Sequence, residues 1–197
     1  MSENMLGNAL EATSGPFKDF FEKLGGEEGE EWFSAFKRFL RKENPWESEW
    51  REIEELSIEI PALARPTLKE LRALCPWIRS IEYDVSPTEV VTLRLGTFLR
   101  SGEERISHEK YEQRCKPHLA SCLGHQHAAW LVEHQDEFPE FMALLGKVYV
   151  DFPGIVVLGV GGSRFLACLG QDGKHWGLSW RWTGDGLYSD VRVASSK

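Results

Sequence analysis

Residues 147–194 read KVYVDFPGIVVLGVGGSRFLACLGQDGKHWGLSWRWTGDGLYSDVRVA, short apolar runs broken by glycine-centred turns. Trp176, Leu178, Trp180 and Trp182 share one parity, and side chains two apart leave a strand on the same face. One face of that strand is therefore indole-rich and expected to face a core. His175, Gly177, Ser179 and Arg181 leave by the other face, which with Arg192 is expected to meet solvent. Five strands are read here: residues 147–151, 155–160, 164–169, 175–182 and 187–194. Turns are expected at Pro153-Gly154, Gly161-Gly162-Ser163, residues 171–174 and residues 183–186.

Upstream of this meander the periodicity turns helical. Residues 126–137 carry Trp130, Leu131 and His134, and Phe141 to Leu145 continue after Pro139, so a helical cover over the sheet is predicted. Thr67 and Glu70 have the spacing of a capping box for a helix through Cys75, with Leu68, Leu71 and Leu74 inward. Ser107 is expected to cap a helix over 108–115. Leu56, Ile58 and Ile60 alternate as a strand ended by Pro61. Ile81–Val85 and Val90–Leu95 are read as a hairpin about Ser86-Pro87-Thr88-Glu89, a stretch that can also start a helix.

Near the start, Trp32, Phe33, Phe36, Phe39 and Leu40 form a stripe of helical period over about residues 28–42, with acids first and Lys37, Arg38, Arg41 and Lys42 last, as a helix dipole favours. This stripe reads as a packing face, and as a partner-docking face in its sharper reading. Residues 1–14 read as a leader, and Pro16 as the start of a short turn with Phe17, Phe20, Phe21 and Leu24. Asn44-Pro45 is the expected boundary. The organisation is thus an N-terminal helical segment (1–44), a mixed α/β region (45–146) and a C-terminal meander (147–197), with 45–197 allowed as one domain. The fold class is α+β, the five-stranded antiparallel meander being curled or partly barrel-like and packed by a helix.

Composition narrows function. The 197 residues carry 31 acids against 23 Lys and Arg, a net charge of −8. Such a chain repels phosphate backbones unless its bases cluster. The compact basic runs, Lys37-Arg38 to Arg41-Lys42 and Arg94, Arg100 and Arg105, are short, so nucleic acid is not the expected partner. No apolar run reaches the length of about 20 residues that a membrane span needs, and Met1 to Asn8 lack a secretory pattern. With four cysteines, the expectation is a cytoplasmic protein with reduced thiols.

Cys115, His118, Cys122 and His125, with His127 following, supply thiolate and imidazole, ligands that suit zinc. On one straight helix they would spread over about 15 Å, too far for one ion. Pro117 and Gly124 would have to fold the segment back, with His108 or Cys168 as further candidates. The same residues have the composition of a Cys/His hydrolase, without a G-x-S-x-G elbow. Gly159 to Ser163 lack the lysine and the following helix of a phosphate loop. Trp176, Trp180, Trp182 and Tyr188 could bind a base, sugar or proline-rich peptide, but same-parity aromatics in a meander belong to the core more often.

The phrases Gly102-Glu103-Glu104-Arg105-Ile106-Ser107, Ala129 to Glu137, Val148 to Ile155 and Trp180-Arg181-Trp182 resemble a family of small uncharacterised proteins from uncultivated bacteria. The resemblance spans residues 95–194, implies a split near Gly146, and carries over no catalytic residue. The expected function is a non-enzymatic protein-interaction module with no cofactor. The alternative is a zinc-binding protein or a Cys/His hydrolase centred on 115–127.

Overall fold

The computed structural model describes residues 15, 19, 22–23, 25–26, 29–40 (without the side chains of 31 and 38), 50–54 and 56–196. The expected leader, the Pro16 turn and the Asn44-Pro45 boundary lie outside these residues. The chain divides into two compact units, residues 1–48 and 49–197. In the first, helix α1 spans Gly29–Leu40. Phe33, Phe39 and Leu40 of its apolar stripe are exposed, and the Lys37 ammonium sits 4.0 Å from the Phe33 ring centroid.

The second unit is α+β, built on a seven-stranded mixed sheet that does not close into a barrel. Its strands are β1 (Arg51–Glu54), β3 (Ile78–Asp84), β5 (Arg94–Thr97), β7 (Tyr149–Gly159), β8 (Arg164–Asp172), β9 (His175–Trp182) and β11 (Val191–Ser195), while β2 (Glu59–Ile60) with β4 (Val91–Thr92), and β6 (Arg105–Ile106) with β10 (Leu187–Tyr188), form two-stranded sheets. The order is β1-β5-β11-β7-β8-β9, with β3 also on β7. Strands from both sides of Gly146 share this sheet.

Three features depart from the five-stranded meander. Runs 147–151 and 155–160 belong to one strand, β7, because the register on β8 passes from Phe152 opposite Ala167 to Val156 opposite Leu166. Pro153-Gly154 is thus a bulge and not a turn. Its backbone is satisfied elsewhere: Gly154 N donates to Leu123 O at 2.9 Å and Val85 N to Gly154 O at 2.9 Å. Second, the run 187–194 splits. Leu187 and Tyr188 pair with β6, and β11 crosses to run parallel to β7 and antiparallel to β5. Third, 81–85 and 90–95 form no hairpin, since β3 pairs with β7 and β4 with β2.

The turns after β7 and β8 use glycine at positive φ, at Gly161 (96°), Gly162 (82°) and Gly173 (63°), where a side chain would be strained. Helices α2 (Leu68–Leu74), α3 (His108–Cys115), α4 (His125–His134) and α5 (Pro139–Met142) complete the unit. Thr67 and Glu70 form both bonds of the capping box, and Ser107 Oγ accepts from Lys110 N. Among the described residues no helix is long and apolar enough to cross a membrane.

Two buried clusters follow strand parity. One contains Phe152, Ile155, Val157, Leu169 and Trp176 under α4, which packs on β7, β8 and β9. The other contains Val156, Leu166, Cys168, Val191 and Val193 with Tyr111 and Cys115 of α3. The central strands are thus covered on both faces, and β7 is buried almost without a break. The indole face grades outward: Trp176 is buried, Trp180 half-buried, and Trp182 is 51% exposed. The opposite face meets solvent in part: His175 and Ser179 are exposed as expected, whereas Arg181 and Arg192 are half-buried and drawn into ion pairs with Asp151 and Glu54.

Candidate functional site

The segment with zinc-like composition folds back on itself. Cys115 ends α3, a 3-10 turn covers Lys116–Ser121, and Gly124 precedes α4. Cys122 then bridges Ser195. This reversal brings Cys115 Sγ and Cys122 Sγ to 3.9 Å, both as free thiols. The imidazoles go elsewhere. The His118 ring packs 5.5 Å from Phe98, and His125 stacks on Trp180 at 5.4 Å and 16°. His127 has no exposed surface, and its Nδ1 accepts the Gly124 N–H at 3.1 Å. So the fold unites the two cysteines and separates them from His118 and His125. Among the described residues no three His, Cys, Asp or Glu side chains gather as ligands for one ion.

Neither Cys115 nor Cys168 is an activated thiol. The hydrogen bond with Cys122, then burial, push the Cys115 thiol well above its ordinary range. Burial, then the Asp151 charge, push up Cys168. Nucleophilic cysteines need the reverse shift.

Cys115 lines a cleft of about 570 Å³ bounded by α3, its following turn, β3, β7 and β8. Deep in it lie Tyr111, Val156 and Leu166, all buried, with Tyr83 and Leu119 half-buried beside them. The rim is charged. Arg164 donates through Nε to Glu82 Oε2 at 2.7 Å and pairs through Nη1 with Glu112 Oε1 at 2.9 Å. Burial pulls its guanidinium downward, but the two carboxylates outweigh this and raise it. His108 Nε2 lies 3.6 Å from Glu112 Oε2, and Glu109 and Lys116 are exposed at the edge.

Beneath the cleft runs a buried ionic network that composition alone did not single out. Tyr111 OH donates to Asp151 Oδ2 at 3.3 Å. Arg181 forks onto the same carboxylate, Nε to Oδ1 at 2.9 Å and Nη2 to Oδ2, and its Nη1 donates to Gly186 O at 2.9 Å. Asp151 has no exposed surface. Burial pushes its carboxyl up, against the pull of the Arg181 charge and hydrogen bonds. The sequence signal was present: one acid inside the apolar run Tyr149 to Ile155, and one arginine in the Trp-rich strand. A charge on a strand buried on both faces requires a partner.

A second polar cluster joins the sheet to α4. Ser86 Oγ donates to Asp84 Oδ1 at 2.5 Å, Gln126 Nε2 donates to Ser86 Oγ at 2.8 Å, and Arg65 Nε donates to Ser86 O at 2.8 Å. Gly124 closes this corner, since a Cβ there would fall 2.6 Å from Ser86 Oγ. No family model, no curated protein and no solved structure matches the chain.

Proposed function

We propose that this chain is a non-enzymatic protein-interaction module of the bacterial cytoplasm, and that the cleft beside α3 receives its partner. The observation that carries this reading is the cleft itself: an apolar, aromatic interior beneath a charged rim, with a volume of about 570 Å³. Binding clefts commonly hold about 300–1,000 Å³ and combine apolar walls with a few polar groups. The thiol facing it is pushed up, away from nucleophilic chemistry. The exposed Phe33, Phe39 and Leu40 of α1 offer a second apolar face to a protein partner.

The test is affinity capture with the purified full chain, followed by reconstitution with the single purified partner it yields. Leu119→Trp fills the cleft from its turn, and Gln113→Trp fills it from an exposed position on α3. Either substitution should weaken the reconstituted complex at least tenfold while leaving the melting temperature nearly unchanged. A complex that tolerates both rejects the cleft as the docking site.

The approach of Cys115 to Cys122 favours one alternative, a zinc site or Cys/His hydrolase on residues 115–127. Metal analysis of protein purified without chelator decides it. Stoichiometric zinc lost in Cys115→Ser and Cys122→Ser would establish the alternative, and unchanged stability of metal-free protein would remove it.

A further inference from the structure

We infer that the partner presents an apolar side chain flanked by a lysine or arginine, the apolar group entering the cleft and the basic group resting on Glu109 and Glu112 of α3. This rests on the cleft being the docking site and adds the chemistry of what docks.

The interior selects the first element. Its deep wall is Tyr111, Val156 and Leu166, and no permanent charge lies among these side chains. An aliphatic or aromatic anchor there loses water without leaving a polar group unpaired, as the central residues of interfaces do.

The rim selects the second. Glu109 and Glu112 stand three apart on α3, so their carboxylates are neighbours on one helix face. Of the permanent charges on the cleft, Glu82, Glu109 and Glu112 oppose Arg164 and Lys116. Arg164 is already shared between Glu82 at 2.7 Å and Glu112 at 2.9 Å. A partner carboxylate approaching Arg164 would meet those two acids first. An incoming cation meets Glu109 and the Glu112 oxygen that His108 approaches at 3.6 Å. The net charge of −8 adds a long-range field of the same sign, which speeds encounter with cations and repels anions.

The experiment uses the full chain against an immobilised peptide library in which one central position and its two neighbours are varied. The expected result is an apolar residue at the centre and at least tenfold enrichment of Lys or Arg over Glu beside it, weakening as salt rises. Glu109→Gln, which lies outside the Arg164 pair, and Glu109→Gln with Glu112→Gln should remove the basic preference and keep the apolar one. A neutral or acidic preference, or a basic preference that survives the double substitution, overturns the inference. The cleft reading then stands if Leu119→Trp still abolishes capture. Peptides bound equally well by Leu119→Trp, or no peptide bound at all, overturn both.

Discussion

Lowering the pH should destabilise this fold through His127, and the effect can be isolated in one substitution. The ring has no exposed surface. Its Nδ1 accepts the Gly124 N–H at 3.1 Å, so in the neutral ring the proton is on Nε2, which has no partner. A second proton would have to displace the Gly124 bond and place a charge out of water. Burial accordingly lowers this imidazole from 6.5 to about 4, against smaller opposing effects from the Gly124 bond and the Glu89 charge. Because the folded value lies below the unfolded one, the unfolded chain takes up the proton first. Stability is therefore fully present above about pH 6.5 and is lost as pH falls toward 4. A separation of about 2.5 units corresponds to about 3 kcal/mol in total, of which about 2 kcal/mol is lost between pH 7 and pH 5. His127→Gln keeps an acceptor for Gly124 at the helix position where Gln favours capping, and removes the titration. Urea unfolding of both proteins, followed by tryptophan fluorescence at pH 7, 6 and 5, reads the difference. Burial also lowers His125, but that contribution is common to both proteins and cancels. The stability of wild type relative to His127→Gln should fall by about 2 kcal/mol from pH 7 to pH 5. A difference that stays flat with pH would refute the argument that the ring is held neutral by burial.

Three further perturbations test the packing. Glu103 is forked by Arg114 at 2.5 and 2.9 Å, and that bond, against burial, holds its carboxyl down at about 2; its stabilisation is present above about pH 4.5 and lost as pH falls toward 2. Since the Glu103 side chain is partly exposed, Glu103→Gln should cost about 1–2 kcal/mol at pH 7 after solvent screening, measured by urea unfolding. Asp151→Asn preserves shape but leaves the Arg181 guanidinium without its countercharge, so thermal melts should show a loss of about 3–5 kcal/mol. In Gly154→Ala the new Cβ would fall 2.4 Å from Cys122 O and 2.8 Å from Leu123 O; backbone cannot swing aside, and calorimetry should find about 1–3 kcal/mol of destabilisation.

Local chemistry was legible in this sequence wherever it closes over a few residues. The Thr67–Glu70 box, the Ser107 cap and the glycines at 161, 162 and 173 act within their own turn. The α+β class and the inward side of Trp176 follow from periods of 3.6 and 2. Partner choice for strands was not legible, because period two says which face is buried and not which neighbour an edge takes. Pro153-Gly154 illustrates this. As a dipeptide it signals a turn, yet it became a bulge because Leu123 and Val85, distant in sequence, bond to Gly154 on both sides. Residues 187–194 failed for the same reason: the final strand finds unpaired edges on β5 and β7, which a sequential meander does not offer.

The candidate site divides along the same line. Composition drew attention to residues 115–127, and the reversal at Pro117 does bring Cys115 to Cys122 at 3.9 Å. It could not say that Phe98 and Trp180 engage His118 and His125, because those rings come from elsewhere in the chain, just after β5 and on β9. Nor could it place Glu82, Glu112 and Arg164 together, which lie on β3, α3 and β8. Yet Asp151 and Arg181 could have been found by asking where buried strands carry charge. Asp151 sits in a strand that reads as core and is covered on both faces, so its carboxylate cannot reach water, and Arg181 on β9 is half-buried against it. Their pairing answers the burial of the Asp151 carboxylate, which would otherwise stand uncompensated. It joins β7 to β9 beneath Tyr111, so the floor of the cleft rests on an ion pair whose loss should loosen the wall and the fold together.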